Sequence, residues 1–214
     1  MRGDILIIGE HHRQAARDIV ELTLPGIRSK PEKFFFSVAG ESGAGKSEIA
    51  YALESLLEDM NIPASIIQQD DYFVFPPKTN ERMRDIDINR VGPGEVRLEL
   101  LNENIKAVLE GHAEIEKPLV IFAEDRITSE RINLEPFRVI IIDGTYTTLL
   151  EHIDCRVFID RDRNDTREDR LKRNREKQNE YLENILEIEH NIISRHKEMA
   201  DIIVNKQFKA VRHA

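Results

Sequence analysis

The residues best placed to do chemistry form one glycine-rich stretch at positions 40–47. It reads Gly-Glu-Ser-Gly-Ala-Gly-Lys-Ser, which matches the pattern G-x-x-x-x-G-K-[ST] in full. Glycines let a backbone curl until successive N–H groups point at one phosphate, and a following helix adds the positive end of its dipole. The residues expected to bind a nucleotide are therefore Gly40, Glu41, Ser42, Gly43, Ala44, Gly45, Lys46 and Ser47. Lys46 would contact the β- and γ-phosphates, and the Ser47 hydroxyl would bind Mg²⁺.

The segments on either side of this stretch fit the same use. Residues 34–39 read Phe-Phe-Phe-Ser-Val-Ala, a short apolar run typical of a buried strand, and apolar side chains recur at helical spacing from Ile49 to Met60. A flexible loop that matches the pattern by chance needs neither of these neighbours. The order of strand, loop and helix therefore favours a phosphate-binding loop.

A second candidate is the aspartate that ends a later apolar run. Residues 138–142 predict a buried strand, and Asp143-Gly144 follows directly. An aspartate at that point, beside a phosphate-binding loop, is placed to hold the magnesium shell directly or through water. The alternative is an ordinary Asp-Gly turn at a strand end. We expect Ser47 and Asp143 to serve the same metal ion.

Two further carboxylates follow the second predicted strand. Residues 64–69 predict that strand, and Asp70-Asp71 stand at its end. Ligands of parallel α/β sheets bind at the carboxyl ends of the strands. A carboxylate there can accept the proton of an alcohol that attacks a γ-phosphate. A solvated turn or a helix cap is the alternative, and only one of the two aspartates need be functional.

A basic stretch stands out against an acidic chain. Residues 161–177 contain eight Lys or Arg against five Asp or Glu, a local charge of +3 in a chain of net charge −9. Arg170 and Arg173 share one helix face, and Arg167 extends that face by one turn. Such a row suits a lid, predicted over residues 161–178, that closes on the phosphates and excludes water. A solvated helix of mixed charge is the alternative.

The composition excludes several classes of protein. With 31 Lys+Arg against 40 Asp+Glu, a general nucleic-acid or anionic-membrane binder is disfavoured. The single cysteine, Cys155, cannot form an internal disulfide, and the apolar runs are too short to span a bilayer, so we expect a cytoplasmic protein. A GTPase switch is disfavoured because the one Asn-Lys pair, Asn205-Lys206, lacks the following aspartate of a guanine-reading element.

The rest of the pattern predicts an α/β layer with a mostly parallel sheet. A helix from about Glu10 to Leu22, ended by Pro25-Gly26, predicts an N-terminal appendage over residues 1–30, with the main domain over 31–214. Residues 72–94 contain several Pro and Gly with no period and predict a long loop.

Three more predictions concern the second half of the chain. A helix is predicted over 95–110, and a hairpin is predicted between 117–122 and 131–134, across Thr128-Ser129. Two strands are predicted at Cys155–Ile159 and Ala200–Val204, with long helices between them.

Four of these motifs together resemble the uridine kinase/phosphoribulokinase family of P-loop kinases, over about residues 33–205. They are the loop at 40–47, Gln69-Asp70 followed by aromatics, Ile142-Asp143-Gly144 and the basic stretch at 166–175. The resemblance implies a three-layer P-loop NTPase fold with a mostly parallel central sheet flanked by helices, plus a small hairpin and a helical lid. It also implies Mg²⁺-ATP-dependent phosphorylation of a small-molecule hydroxyl. Related kinases are often dimers or tetramers, which leaves a homo-oligomer open. The charge balance and the short apolar runs predict no nucleic-acid or membrane partner.

The resemblance assigns roles by position. The aspartate directly after the second strand maps to Asp70 as the general base, which joins Lys46, Arg170 and Arg173 as the catalytic set. The acceptor-side residues it implies are Asp71, Tyr72, Phe73, Asp87, Phe122 and Arg126. A nucleoside is the acceptor expected first. Pantothenate, glycerate or a sugar phosphate are the alternatives, as is an ATP-binding regulator or ATPase without a small acceptor.

Overall fold

The computed structural model describes residues 6–173 and 179–213, and within them eight strands form two sheets. The strands are β1 (Phe34–Gly40), β2 (Ala64–Gln68), β3 (Glu114–Ile121), β4 (Arg126–Asn133), β5 (Val139–Asp143), β6 (Cys155–Ile159), β7 (Ile202–Val204) and β8 (Ala210–Arg212). The central sheet has the order β2-β5-β1-β6-β7-β8, and β3 pairs with β4 outside it. Neighbours in the central sheet are parallel except β7 and β8. The predicted α/β fold with a mostly parallel sheet is confirmed.

Six helices accompany the sheets in the described part of the chain. They are α1 (Glu10–Ser29), α2 (Lys46–Asp59), α3 (Pro77–Ile86), α4 (Leu98–Leu109), α5 (Arg167–Arg173) and α6 (Glu180–Ile193). Residues 174–178 of the predicted lid lie outside the described residues. None of the described helices combines the length and the apolar composition needed to cross a bilayer.

The core has two parts because side chains of a strand alternate between the faces of its sheet. On β1, Phe36 and Val38 pack into the part covered by α1 and α2, whereas Phe35 and Ala39 pack into the part covered by α4. Every residue of β1 is buried. A strand in the middle of such a layered sheet is apolar on both faces, which explains the continuous apolar run in the sequence.

The N-terminal helix belongs to the first part of the core. Its Ala15, Ala16 and Ile19 are fully buried in the same cluster as α2 and β1. The helix break predicted at Pro25-Gly26 is wrong, since α1 continues to Ser29 with Pro25 inside it. Burial of the last turn through Ile27 offsets the lost backbone hydrogen bond.

The predicted loop over residues 72–94 contains helix α3, so that prediction is wrong for residues 77–86. The helix has few apolar residues and is held by partners distant in the sequence. The backbone N–H of Lys78 donates to Asp125 Oδ1 at 2.7 Å, and the Thr79 hydroxyl donates to Asp125 Oδ2 at 2.8 Å. Near its other end, Arg84 forms a two-pronged ion pair with the buried Glu95. No local pattern reveals such anchors.

The predicted hairpin exists, but its turn lies earlier than expected. Thr128 and Ser129 are inside β4, opposite Leu119 and Pro118, and the chain reverses between Ile121 and Arg126. Asp125 closes that turn with φ 47°, a left-handed conformation that aspartate tolerates better than most residues. The turn prediction is therefore wrong.

Candidate functional site

The glycine-rich stretch forms a turn between β1 and α2, as its motif requires. Gly43 and Gly45 have φ values of 79° and 101°, which side-chain-bearing residues adopt only with strain. Gly43 also lacks room for a side chain, because an added Cβ would lie 2.8 Å from Cγ of Arg170. The Lys46 ammonium donates to the carbonyl of Glu41 at 2.9 Å and thus lies across the turn.

Ser47 and Asp143 are brought into direct contact. The Ser47 hydroxyl donates to Asp143 Oδ2 at 2.6 Å, although 96 residues separate the two in the chain. The contact arises because β5 lies directly beside β1 and ends level with the start of the turn. Asp143 is 4% exposed. Burial raises the pKa of its carboxyl to about 6, with repulsion by Asp70 adding to the effect and the Ser47 hydrogen bond opposing it.

The donor set at this point fits a magnesium ion. Hydroxyl and carboxylate oxygens are the ligands that Mg²⁺ takes in proteins. Asp143 Oδ1 is buried and, within the described part of the chain, has no hydrogen-bond partner. A buried carboxylate oxygen without a donor is costly unless a cation or water satisfies it. Ser47 and Asp143 are thus suited to hold the ion.

The two aspartates after β2 lie in different surroundings. Asp70 is half-buried, and no hydrogen bond or ion pair reaches its carboxylate from residues 6–173 or 179–213. Asp71 is buried, and its carboxylate accepts from the Lys117 ammonium at 2.7 Å and from the Val120 backbone N–H at 3.0 Å. Asp71 therefore anchors strand β3, whereas the Asp70 carboxylate has no such partner among the described residues.

The other predicted acceptor-side residues are spread over this region. Tyr72 is fully buried, and its hydroxyl accepts from the Asn104 amide at 2.8 Å; Phe73 is half-buried and bridges to Val96. Asp87, Phe122 and Arg126 are exposed. Asp87 caps a short turn through the Asn89 N–H, and Arg126 is paired with Glu124. These residues thus differ in burial and in their bonding partners.

The predicted lid reaches the phosphate-binding turn through Arg170. Its guanidinium donates to the Arg163 carbonyl at 2.8 Å and lies 3.7 Å from Glu183, and its aliphatic part covers Gly43. Arg170 is buried although it is charged. The backbone of Arg173 ends α5, and its side chain lies outside the described residues.

Helix α6 supplies two contacts to the turn that sequence reasoning missed. Glu189 accepts from the Ser42 backbone N–H at 2.9 Å, and His190 Nδ1 lies 2.5 Å from Glu41 Oε1. Burial raises the pKa of the Glu41 carboxyl, and the contact with His190 opposes that shift. The signal was present, because Glu189 continues the buried face of Ile185 and Leu186. A charged residue on a buried stripe needs a partner.

Two residues that are far apart in the sequence pack next to Gly45 of the turn. His12 of α1 and Phe208, just before β8, pack edge to face with ring centroids 4.9 Å apart. A Cβ on Gly45 would lie 3.1 Å from His12 Nε2 and 3.3 Å from Phe208 Cε1. Nothing in the spacing of these residues in the sequence predicts that they meet.

Comparison with known proteins places this geometry in a family. The sequence profile described as "Phosphoribulokinase / Uridine kinase family" matches residues 35–212. A uridine kinase from Staphylococcus haemolyticus is 27% identical over 179 residues, covering 78% of this chain and 84% of that protein. A uridine kinase from Ligilactobacillus salivarius is 28% identical over 179 residues, covering 78% and 82%.

Solved structures show the same fold. The D-glycerate 3-kinase from Cryptococcus neoformans superposes with a TM-score of 0.63 at 14% sequence identity, covering 96% of this chain and 100% of that chain. At this identity the likeness concerns the fold, while the profile match covers most of the sequence. The chain belongs to the phosphoribulokinase/uridine kinase family of small-molecule P-loop kinases.

Proposed function

We propose that the protein transfers the γ-phosphate of Mg²⁺-ATP to a hydroxyl of a small molecule, with a nucleoside as the first candidate acceptor. The observation that carries this proposal is the pairing of Ser47 with Asp143 beside a complete phosphate-binding turn. Asp70, whose carboxylate has no partner within residues 6–173 and 179–213, stands at the next strand end. A nucleoside is the first candidate because the similar proteins include uridine kinases.

Each residue then has a defined task. The backbone N–H groups of the turn and Lys46 bind the phosphates, and Ser47 and Asp143 hold the ion, which would neutralise charge on the phosphate oxygens. Asp70 accepts the proton of the acceptor hydroxyl while the hydroxyl oxygen forms a bond to the γ-phosphorus. The bond from that phosphorus to the bridging oxygen breaks, and ADP leaves with that oxygen. Catalysis of this kind consists mainly of positioning and electrostatic stabilisation.

Arg170 is suited to stabilise charge on the transferring group. Its side chain already packs on Gly43 of the phosphate-binding turn. A buried guanidinium there also helps to exclude water, which would otherwise take the phosphate. We propose the same task for Arg173, from the family resemblance.

The test is a transfer assay with the purified protein, Mg²⁺ and ATP. The acceptors are uridine, cytidine, pantothenate, glycerate and a pentose phosphate, and both ADP and the phosphorylated acceptor are measured. A kinase releases ADP in step with one acceptor. An ATP-binding regulator or ATPase releases it without any acceptor or not at all, which would contradict the proposal.

Asp70→Asn tests the base in the same assay. The variant should bind ATP as the wild type does and lose transfer by about 100-fold or more, the scale of general-base catalysis. Near-complete retention of transfer would show that Asp70 is not the base.

A further inference from the structure

Gln69 connects the two chain segments that carry the carboxylates of the proposed reaction, Asp70 and Asp143. Strands β2 and β5 are parallel, with Gln68 opposite Asp143. The next residues along the two strands, Gln69 and Gly144, are therefore neighbours just beyond the sheet. Gln69 is 0% exposed, so its polar side chain is wholly inside the protein.

The amide oxygen of Gln69 holds the loop that follows β5. It accepts from the Tyr146 backbone N–H at 2.8 Å, in a buried contact that spans 77 residues of sequence. A buried hydrogen bond between a side chain and a backbone N–H fixes both partners, since neither can turn to water. Gln69 precedes Asp70 directly, and Tyr146 follows Asp143 by three residues. The bond thus joins the two segments that carry the carboxylates.

The same side chain explains the glycine at position 144. A Cβ there would lie 2.3 Å from Gln69 Cβ and 2.7 Å from Gln69 Cδ. Such distances are far inside van der Waals contact, and the obstructing Cβ is fixed to the backbone and cannot swing away. On its other side, the Gly144 N–H donates to the Val38 carbonyl of β1 at 3.1 Å. Gly144 is therefore confined between Gln69 and the central strand.

We propose that Gln69 is a positioning residue, which sets Asp70 relative to Asp143 by bonding the Tyr146 N–H and packing on Gly144. This inference rests on the proposed kinase function. The alternative is that Gln69 contacts the acceptor directly, because its Nε2 has no hydrogen-bond partner in the described part of the chain. The two roles differ in kinetics. A positioning residue lowers kcat, whereas a direct contact raises the KM of the acceptor.

Three variants test the proposal. Gln69→Met keeps the volume and removes the acceptor atom, and Gln69→Glu keeps an oxygen for the Tyr146 N–H. Thr23→Val is the control, since it removes a buried hydrogen bond to the Ile19 carbonyl within α1. For each variant, kcat, both KM values, the thermal midpoint and the amide hydrogen exchange of Tyr146 are measured.

We expect Gln69→Met to lower kcat by about 10- to 100-fold with both KM values unchanged, the scale of a misplaced catalytic group. Tyr146 exchange should be faster in Gln69→Met, whereas Gln69→Glu, which keeps an oxygen for the Tyr146 N–H, should retain the slow exchange. Thr23→Val should lower the thermal midpoint alone. Unchanged kcat in Gln69→Met, or a rise confined to the acceptor KM, would overturn the inference. A wild type that phosphorylates no acceptor overturns the proposed function and this inference together, whereas an active wild type isolates the inference.

Discussion

The carboxylate of Glu189 and the backbone N–H of Ser42 are joined by a 2.9 Å hydrogen bond across 147 residues of sequence. A second oxygen of the same carboxylate lies 3.4 Å from the Ser42 hydroxyl. A buried negative charge thus faces a turn whose N–H groups are shaped for anions. The charge stabilises the turn through the Ser42 N–H. It also opposes the binding of phosphate, because like charges repel strongly where water is excluded.

Glu189→Gln should therefore tighten nucleotide binding. Glutamine keeps an oxygen for the Ser42 N–H and removes the charge, so we expect the Kd for ATP to fall about tenfold, which equals ~1.4 kcal/mol. Calorimetric titration with ATP measures it.

The matched control is Glu187→Gln, on the same helix. Glu187 is exposed and paired with Arg163 at 3.3 Å, so its removal should leave the Kd unchanged. Weaker ATP binding by Glu189→Gln would show instead that the carboxylate holds the turn in its binding shape.

Asp143→Asn separates the metal role from the nucleotide site. The change keeps an oxygen near the Ser47 hydroxyl but removes the anionic ligand. We expect transfer to fall by about 100-fold or more, in keeping with loss of an electrostatic contribution to the transition state. The Kd for ATP without Mg²⁺ should stay the same, and the tightening that Mg²⁺ gives the wild type should disappear. A variant whose ATP binding still responds to Mg²⁺ would exclude Asp143 from the ion's site.

The same Asp→Asn substitution should lower the stability of the protein at Asp71 and leave it nearly unchanged at Asp70. Asp71 and Lys117 form a buried ion pair at 2.7 Å, and Lys117 also pairs with Glu130 at 2.9 Å, so Asp71→Asn removes one of two carboxylates from a buried ammonium. We expect the free energy of unfolding to fall by about 1–3 kcal/mol, measured in urea. Asp70→Asn, the comparison variant, should leave that free energy nearly unchanged, because Asp70 is half-buried and unpartnered among the described residues. Equal losses of stability would contradict the different roles of the two residues.

Glu54 gives the chain a pH-dependent stability unrelated to the site. Burial and repulsion by Glu58 raise the pKa of its carboxyl from 4.5 to about 7, with a backbone hydrogen bond from Ile66 opposing the shift. The Glu54 carboxyl therefore loses its proton at a lower pH in the unfolded chain than in the folded chain. As a result, its contribution to the free energy of unfolding falls as the pH rises from 4.5 to about 7, and is constant above that.

Glu54→Gln should therefore raise the thermal midpoint at pH 8 and leave it near the wild-type value at pH 4. The exposed Glu103 on α4 provides the control, and Glu103→Gln should show no such difference between the two pH values. If the wild type instead has a higher thermal midpoint than Glu54→Gln at pH 8, the fold stabilises the Glu54 carboxylate, which contradicts the prediction.

The sequence predicted the parts of the site that depend on local pattern. The phosphate-binding turn needs glycines at fixed positions between a strand and a helix, and Asp70 and Asp143 each stand at the end of a predicted strand. These features are set by neighbours along the chain, so residue order is enough to find them.

The parts that were missed depend on contacts between distant segments. Helix α3 has too few apolar residues to predict and is anchored by Asp125 and Glu95 from later segments. Two carboxylates that look alike in sequence, Asp70 and Asp71, differ because the Lys117 ammonium and the Val120 N–H lie beside one of them. Glu189 reaches the turn from a helix that follows the lid. Such pairings are decided by tertiary packing, which local propensity does not encode.

The contact between His12 and Phe208, next to Gly45, connects the phosphate-binding turn to helix α1 and to the segment just before β8. The link continues where the Ala210 N–H donates to Asp18 Oδ2 at 3.1 Å. A ligand that makes the turn more rigid should therefore make helix α1 and strand β8 more rigid together. Deuterium uptake by residues 10–29 and 208–212 should slow in concert when ATP is added. Deuterium uptake in these two segments would then report ATP binding. Slower uptake in only one of them would contradict the coupling.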